Sequence, residues 1–301
     1  MQRDWEAWLK TALGPASPTE EQQRDRTGAR IKEAIRTAAD LPSDVRVYAK
    51  GSYANNTNVR RDADVDIAVE WTQTIKIKKA LEASHMTAAQ LGYTPVDEAI
   101  TPIEFRRRVE RAMIAAFGAT LVDTTPDKHI GVAASPNTLD ADVVPCFALD
   151  RYDAPRVYHR GHRIFPKSGG FVDNYPKQNY DNGVAKNNAT GRRYKEIVRC
   201  MKRLIGELYD ERIIPRDYPG YLIECLVYNV LNDRFGHSRR YDDMQGVLRY
   251  LWNGLGNEAT YIEWTEPSGL LMLFRGRPDR IPANARNVIE KAWQTIGIPR
   301  A

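Results

Sequence analysis

Residues 64–70, DVDIAVE, alternate polar and apolar side chains with period two, and a short apolar run at 45–49 precedes them across a loop containing Gly51. This pattern predicts two strands joined by a glycine-bearing turn. The same reading predicts strands at 129–133, 139–147 and 157–165. Helical spacing accounts for the other strongly patterned stretches. Residues 2–13 read as a short helix, and a longer one follows with Ser17 as N-cap, Pro18 at its first position and Ile31, Ala34, Ile35 and Ala38 as its apolar stripe. Thr101 opens another, with Val109, Ala112, Met113, Ala116 and Phe117 inward. Its arginines, Arg106, Arg107, Arg108 and Arg111, are expected on a solvated face paired with Glu104 and Glu110.

Residues 72–100 carry little pattern, and from about residue 161 the character changes. Residues 169–177 read as a turn-rich crossing, after which the periodicity is helical. Thr190 can cap a helix over 190–211, with Ile197, Met201, Leu204, Ile205 and Leu208 inside and Arg193, Arg199, Lys202 and Arg203 on its polar side. Further amphipathic segments are predicted near 219–235 and 241–255, and a last one from Pro282 to about Gly297.

The strand at 64–70 carries the candidate chemistry. Residues i and i+2 of a strand share a face, so Asp64 and Asp66 project together while Val65, Ile67 and Val69 face a core. Adjacent carboxylates repel and are costly to desolvate, an arrangement that a divalent cation stabilises. Hard oxygen donors suit Mg²⁺ or Mn²⁺. Upstream, Gly51 permits a tight turn and Ser52 adds a hydroxyl, so this loop can present N–H groups to a phosphate. A two-metal site, with ions about 3.5–4 Å apart, needs a carboxylate from a further strand. The segment at 139–147 offers Asp140 and Asp142 on one face, and period alone does not choose between them.

A chain of 301 residues with 42% hydrophobic side chains can form one large domain or two intimate ones. A formal charge of +5 and a pI near 9.0 favour anionic partners, nucleoside triphosphates as well as nucleic acid. Cys146, Cys200 and Cys225 are far apart, so buried thiols are expected rather than a disulfide framework or a zinc site. The five histidines show no metal-ligand spacing with them, and His159 and His162 should point to opposite faces of their strand. The N-terminal sequence lacks a secretion signal, and no apolar run approaches the ~20 residues that span a bilayer, so a cytoplasmic protein without membrane contact is expected.

A Gly-Ser pair, about a dozen residues, then Asp-x-Asp on a strand resembles the nucleotidyltransferase core shared by DNA polymerase β, poly(A) polymerases and the cGAS/DncV-like enzymes. The fuller string GSYANNTNVRRDADVDIAV is similar to the bacterial cGAS/DncV-like nucleotidyltransferases of the E clade, the CdnE enzymes. The resemblance implies a polymerase β-like α/β lobe with a mixed sheet at 1–165, including a spine helix, intimately packed on a helical C-terminal lobe at 166–301, with the active site between them. It implies Asp64, Asp66 and Asp142 as catalytic and metal-binding residues, because the family's third aspartate precedes a short apolar run such as Val143-Val144. Two Mg²⁺ or Mn²⁺ ions are the implied cofactors.

For the nucleotides, the resemblance implies Gly51, Ser52 and Lys202 near the donor triphosphate and Tyr221 stacked on a base. Gly220 stands where the family has a serine, which removes one hydroxyl contact. Lys177, Asn182 and Lys186 are further pocket candidates, and Asn174 matches the asparagine found in pyrimidine-using relatives, implying UTP, beside ATP, as substrate. The implied product is a uridine-containing 3′,3′ cyclic dinucleotide of the cyclic UMP-AMP or cyclic di-UMP type. A separate effector protein of the anti-phage system called CBASS would read it. A monomer without zinc and without a nucleic-acid activator is expected. Two rivals remain at this stage: a nucleotidyltransferase acting on RNA, protein or a small molecule, and a catalytically silent nucleic-acid-binding module.

Overall fold

The computed structural model describes residues 3–12, 14, 18–59, 64–94 and 100–297; the expected cap Ser17 lies outside them. The strands are β1 (Val45–Ala49), β2 (Val65–Lys79), β3 (Val122–Asp123), β4 (Ile130–Val132), β5 (Ala141–Ala154), β6 (Val157–Ile164) and β7 (Val172–Asn174). The helices are α1 (Trp5–Ala12), α2 (Pro18–Thr37), α3 (Gly51–Asn55), α4 (Ala88–Leu91), α5 (Pro102–Phe117), α6 (Pro176–Ala189), α7 (Arg193–Asp210), α8 (Gly220–Tyr228), α9 (Arg240–Leu255), α10 (Glu258–Tyr261) and α11 (Pro282–Ile296).

The chain forms two compact units, both discontinuous in sequence: one holds residues 17–53 and 63–177, the other residues 1–16, 54–62 and 178–301. A cut at 165/166 would divide the sheet, because β7 pairs with β6 through His162↔Asn174, Arg163↔Asp173 and Ile164↔Val172. The helix α1, expected with the first lobe, belongs to the helical unit, where Leu9 and Ala12 are fully buried in its core.

In the sheet unit the strand order is β1-β2-β5-β4-β3, with β6 paired to β5 and β7 to β6. The sheet is mixed: β2 and β5 run parallel and the other pairs antiparallel. The predicted alternation holds at the start of β2, where Val65, Ile67 and Val69 are buried; from Ala68 to Trp71 both faces are covered, and even Glu70 is buried. The first part of the weakly patterned stretch, as far as Lys79, continues β2 beyond a register shift between Trp71 and Lys76. Helices α2 and α5 pack on the sheet, and Trp71, Phe105 and Phe147 meet there with ring centroids 5.4–5.9 Å apart. Burying three such rings together contributes both area and edge or stacked geometry.

One arginine of α5 departs from the solvated face expected of it. Arg106 is buried and donates to Glu110 and to the carbonyls of Pro126, Asp127 and His129, stapling the 126–129 loop to the helix. Arg108 and Arg111 pair with Glu104 and Asp40 as surface charges do.

The helical unit is built around α7, whose Ile197, Met201, Leu204, Ile205 and Leu208 are buried as the period predicts. Two residues assigned to its polar side, Arg199 and Lys202, are buried as well. Arg199 donates to the backbone carbonyl of Asn56 at 2.6 Å, and a pattern confined to one helix cannot register a partner 143 residues away. The helix starts at Arg193, later than the cap proposed at Thr190; the Thr190 hydroxyl nonetheless accepts the Tyr194 N–H at 3.0 Å. Segment 54–59 is fixed in this unit by buried Glu224, which accepts from the Asn55 amide at 3.0 Å and the Thr57 hydroxyl at 2.6 Å.

Candidate active site

The parallel pairing of β2 with β5 sets Asp142, one of the two aspartates that period alone left open, opposite Asp66. Asp140 precedes β5; its side chain accepts the Ala134 N–H at 2.8 Å and its carbonyl accepts the Val65 N–H at 2.9 Å, so it shapes the strand entry. Asp64 lies just before β2 and is exposed. Burial pushes the Asp142 carboxyl above the ordinary carboxylate range; the charges of Asp66 and Asp64 add to the rise, while His129 and Lys50 oppose it. Three carboxylates therefore share one electrostatic neighbourhood.

Gly51 closes this site from one side. Its φ is +71°, in the left-handed region, and a Cβ built there would lie 2.0 Å from Asp66 Oδ2. No other residue type fits both the backbone and the carboxylate. The Lys50 N–H donates to the Asp66 carbonyl, and the Lys50 ammonium sits 3.1 Å from Asp66 Oδ1. His129, carried by the loop that Arg106 staples, places Nε2 3.2 Å from Asp142 Oδ1. Sequence reasoning missed Lys50 and His129: neither belongs to a motif, and both reach the site through loop placement.

The donor set of three carboxylates is all hard oxygen and one member is destabilised as an anion, which fits divalent cations such as Mg²⁺ or Mn²⁺. Asp64, Asp66 and Asp142 are the residues that would hold them. A second cluster combines Glu70, Cys146 and His162, all buried, with candidate ligand atoms within 4.8 Å of one another. Here the polar atoms are already partnered. Arg46 and Tyr48 donate to Glu70, His162 Nδ1 meets the Tyr48 hydroxyl, and the Cys146 thiol, pushed well up by burial, donates to the Val69 carbonyl.

Asn174 ends β7, half-buried, with Nδ2 3.5 Å from His162 Nε2. The other nucleotide candidates belong to the helical unit. Tyr221 is half-buried at the start of α8, and its hydroxyl donates to Glu266 at 2.8 Å and accepts from Asn179 at 3.1 Å. Lys186 donates to the Val230 carbonyl and Asn232 Oδ1 among the rings of Tyr194, Tyr228 and Phe235; burial lowers its pKa to about 8. Asn182 donates to the Pro267 carbonyl at 2.9 Å. Lys202 is buried on α7. Among the described residues, no helix is long and apolar enough to cross a membrane.

The profile of the cGAS/DncV-like nucleotidyltransferase C-terminal helical domain matches residues 181–297. A cyclic dipyrimidine nucleotide synthase CdnE from Legionella pneumophila is 34% identical over 306 residues, covering 98% of this chain and 99% of that protein. A cyclic dipurine nucleotide synthase from Elizabethkingia meningoseptica is 30% identical, covering 94% of this chain and 95% of its own length. The Rhodothermus marinus CdnE c-UMP-AMP synthase, solved with Apcpp and Upnpp, superposes with a TM-score of 0.82 at 27% identity, covering 98% of both chains.

Proposed function

Because the chain belongs to the CdnE branch of the cGAS/DncV-like nucleotidyltransferases, enzymes that synthesise cyclic dinucleotides, we propose that it converts ribonucleoside triphosphates into a uridine-containing 3′,3′ cyclic dinucleotide. The observation that carries the reading is Asp66 facing Asp142 across β2 and β5, with Gly51 packed against the Asp66 carboxylate. Relatives of similar identity are named for dipyrimidine and for dipurine products, so overall identity does not choose the bases. The choice of uridine, with UTP and ATP as substrates, rests on Asn174.

Asp64, Asp66 and Asp142 would hold two divalent cations, which when bound activate the acceptor 3′-hydroxyl and neutralise the donor triphosphate. Gly51 and Ser52 hold that triphosphate through backbone N–H groups and a hydroxyl. Lys202 adds a positive charge that tightens as pyrophosphate departs, and Lys186 contributes to the nucleotide pocket. Tyr221, its hydroxyl fixed by Glu266, offers its ring to a base. Attack on the α-phosphorus forms the new P–O bond as the bond to pyrophosphate breaks. The first transfer gives a linear dinucleotide and the second closes the ring. The product serves as a second messenger for a separate effector protein in anti-phage defence, and the enzyme works as a cytoplasmic monomer.

The test is incubation of the purified chain with Mg²⁺ and α-labelled triphosphates, followed by phosphatase and thin-layer chromatography. A phosphatase-resistant spot that requires UTP supports the reading. Products limited to extended RNA, labelled protein or phosphatase-sensitive nucleotides would overturn it.

A further inference from the structure

A buried hydrogen-bond chain runs through the sheet unit to Asn174, and its direction can be worked out atom by atom. Arg46 donates to both oxygens of Glu70, at 3.0 and 3.1 Å. The Tyr48 hydroxyl lies 2.6 Å from Glu70 Oε2 and 2.8 Å from His162 Nδ1. Burial holds the Tyr48 hydroxyl protonated, with its pKa raised well above the ordinary value, so its single hydrogen goes to the carboxylate, which has none to give. Its oxygen must then accept from His162, which places the imidazole hydrogen on Nδ1. His162 is fully buried, and burial with Lys50 and Arg46 nearby lowers its pKa to about 3, so the ring is neutral and Nε2 is a bare acceptor.

Nε2 faces the Asn174 carboxamide nitrogen at 3.5 Å, and only the amide N–H₂ can satisfy a bare acceptor. The separation is held by backbone. His162 and Asn174 are register partners, and Gly161 lets the strands approach so closely that a Cβ there would lie 2.4 Å from the Asn174 carbonyl and 2.7 Å from the Tyr175 ring. Among the described residues, Asn174 Oδ1 takes no hydrogen bond from the protein.

We propose that Tyr48 and His162 are positioning residues that orient the Asn174 carboxamide, nitrogen toward His162 and oxygen toward the incoming base, and that this orientation selects uracil over cytosine. The inference rests on the reading of Asn174 as the base-reading residue. Uracil presents an acceptor at O4 beside a donor at N3, whereas cytosine presents a donor at N4 beside an acceptor at N3. An amide edge with fixed orientation matches the first and leaves like groups facing one another against the second. Removing the Tyr48 hydroxyl frees His162 to carry its hydrogen on Nε2, which turns the amide around and reverses the match.

The experiment combines base competition with nitrogen NMR on the full chain. With equimolar UTP and CTP, Tyr48→Phe lowers the uridine-to-cytidine ratio in the product by about tenfold or more, since an unpaired buried polar group costs that much. Long-range ¹H–¹⁵N spectra, with His162 assigned by its loss in His162→Gln, place the wild-type hydrogen on Nδ1. A wild-type Nε2–H tautomer overturns the proposal even if Tyr48→Phe does not fold. A folded Tyr48→Phe with the wild-type base ratio, while Asn174→Ser changes that ratio, overturns the positioning role alone. A wild-type ratio in Asn174→Ser removes Asn174 from base reading, and the proposal with it.

Discussion

Asp66 and Asp142 face each other across the one parallel strand pair of the described sheet, and the Asp66 carboxylate rests against Gly51, where a Cβ would lie 2.0 Å from its oxygen. Hydrogen bonding within the sheet thus brings together two charges that repel, and Gly51 packs directly against one of them.

Gly51→Ala tests that contact. A non-glycine residue at φ +71° costs about 1–2 kcal/mol, and its methyl group forces the Asp66 side chain aside. The expected outcome is a folded protein with a slightly lower thermal midpoint and at least about a hundredfold loss in kcat, as expected when a catalytic group is misplaced by about 1 Å. Retention of wild-type kcat would separate Gly51 from the carboxylate geometry.

The pH dependence of stability follows from Asp142. Its pKa is raised in the folded chain, chiefly by burial, above the ordinary aspartate value. Between the unfolded and folded values the native state binds more protons, so metal-free stability falls as pH rises upward from about 3.8 through the folded value. Chemical denaturation at stepped pH in chelator should show this decline in wild type and lose it in Asp142→Asn. Added Mg²⁺ should restore stability at neutral pH only where Asp142 is present.

Much of the candidate site was legible because strand periodicity is local. Asp64 and Asp66 follow from alternation, and Val65, Ile67 and Val69 are buried as the same alternation requires. The choice of Asp142 over Asp140 was not legible from spacing, since it depends on which residue of β5 faces Asp66. Lys50 and His129 were invisible for the same reason, their roles being set by the turn before Gly51 and by the Arg106 staple. Periodicity puts Arg106 on a solvated face and Arg199 and Lys202 on the polar side of their helix, because charged residues usually sit away from the core. Long-range folding buries them, as the Arg199 contact with the Asn56 carbonyl illustrates. Histidine and cysteine spacing gave no hint that antiparallel pairing of β5 with β6 would bring Cys146 and His162 together beside Glu70.

Lys202 is best tested with Lys202→Met, which keeps most of the buried volume while removing the charge. If the ammonium holds the donor triphosphate, KM for the nucleotide rises and kcat falls, each by about tenfold, as for a lost charge-assisted contact. Unchanged KM and kcat would leave Lys202 a purely structural residue of α7.

Glu224 anchors the 54–59 segment through Asn55 and Thr57. Glu224→Ala strands two buried donors, each worth about 1.5–3 kcal/mol when bonded to a charged group. The expected destabilisation in urea is about 2–4 kcal/mol, a range typical of broken buried networks. A loss below about 0.5 kcal/mol, the level of an ordinary surface change, would contradict the anchoring role.

The central claim is tested most directly by incubating the chain with all four ribonucleoside triphosphates and Mg²⁺ and reading the products by mass spectrometry. The account predicts a cyclic dinucleotide containing uracil, absent from an otherwise identical reaction with a folded Asp64→Asn, Asp66→Asn double variant. A cyclic product without uracil, or undiminished synthesis by the folded double variant, would contradict it.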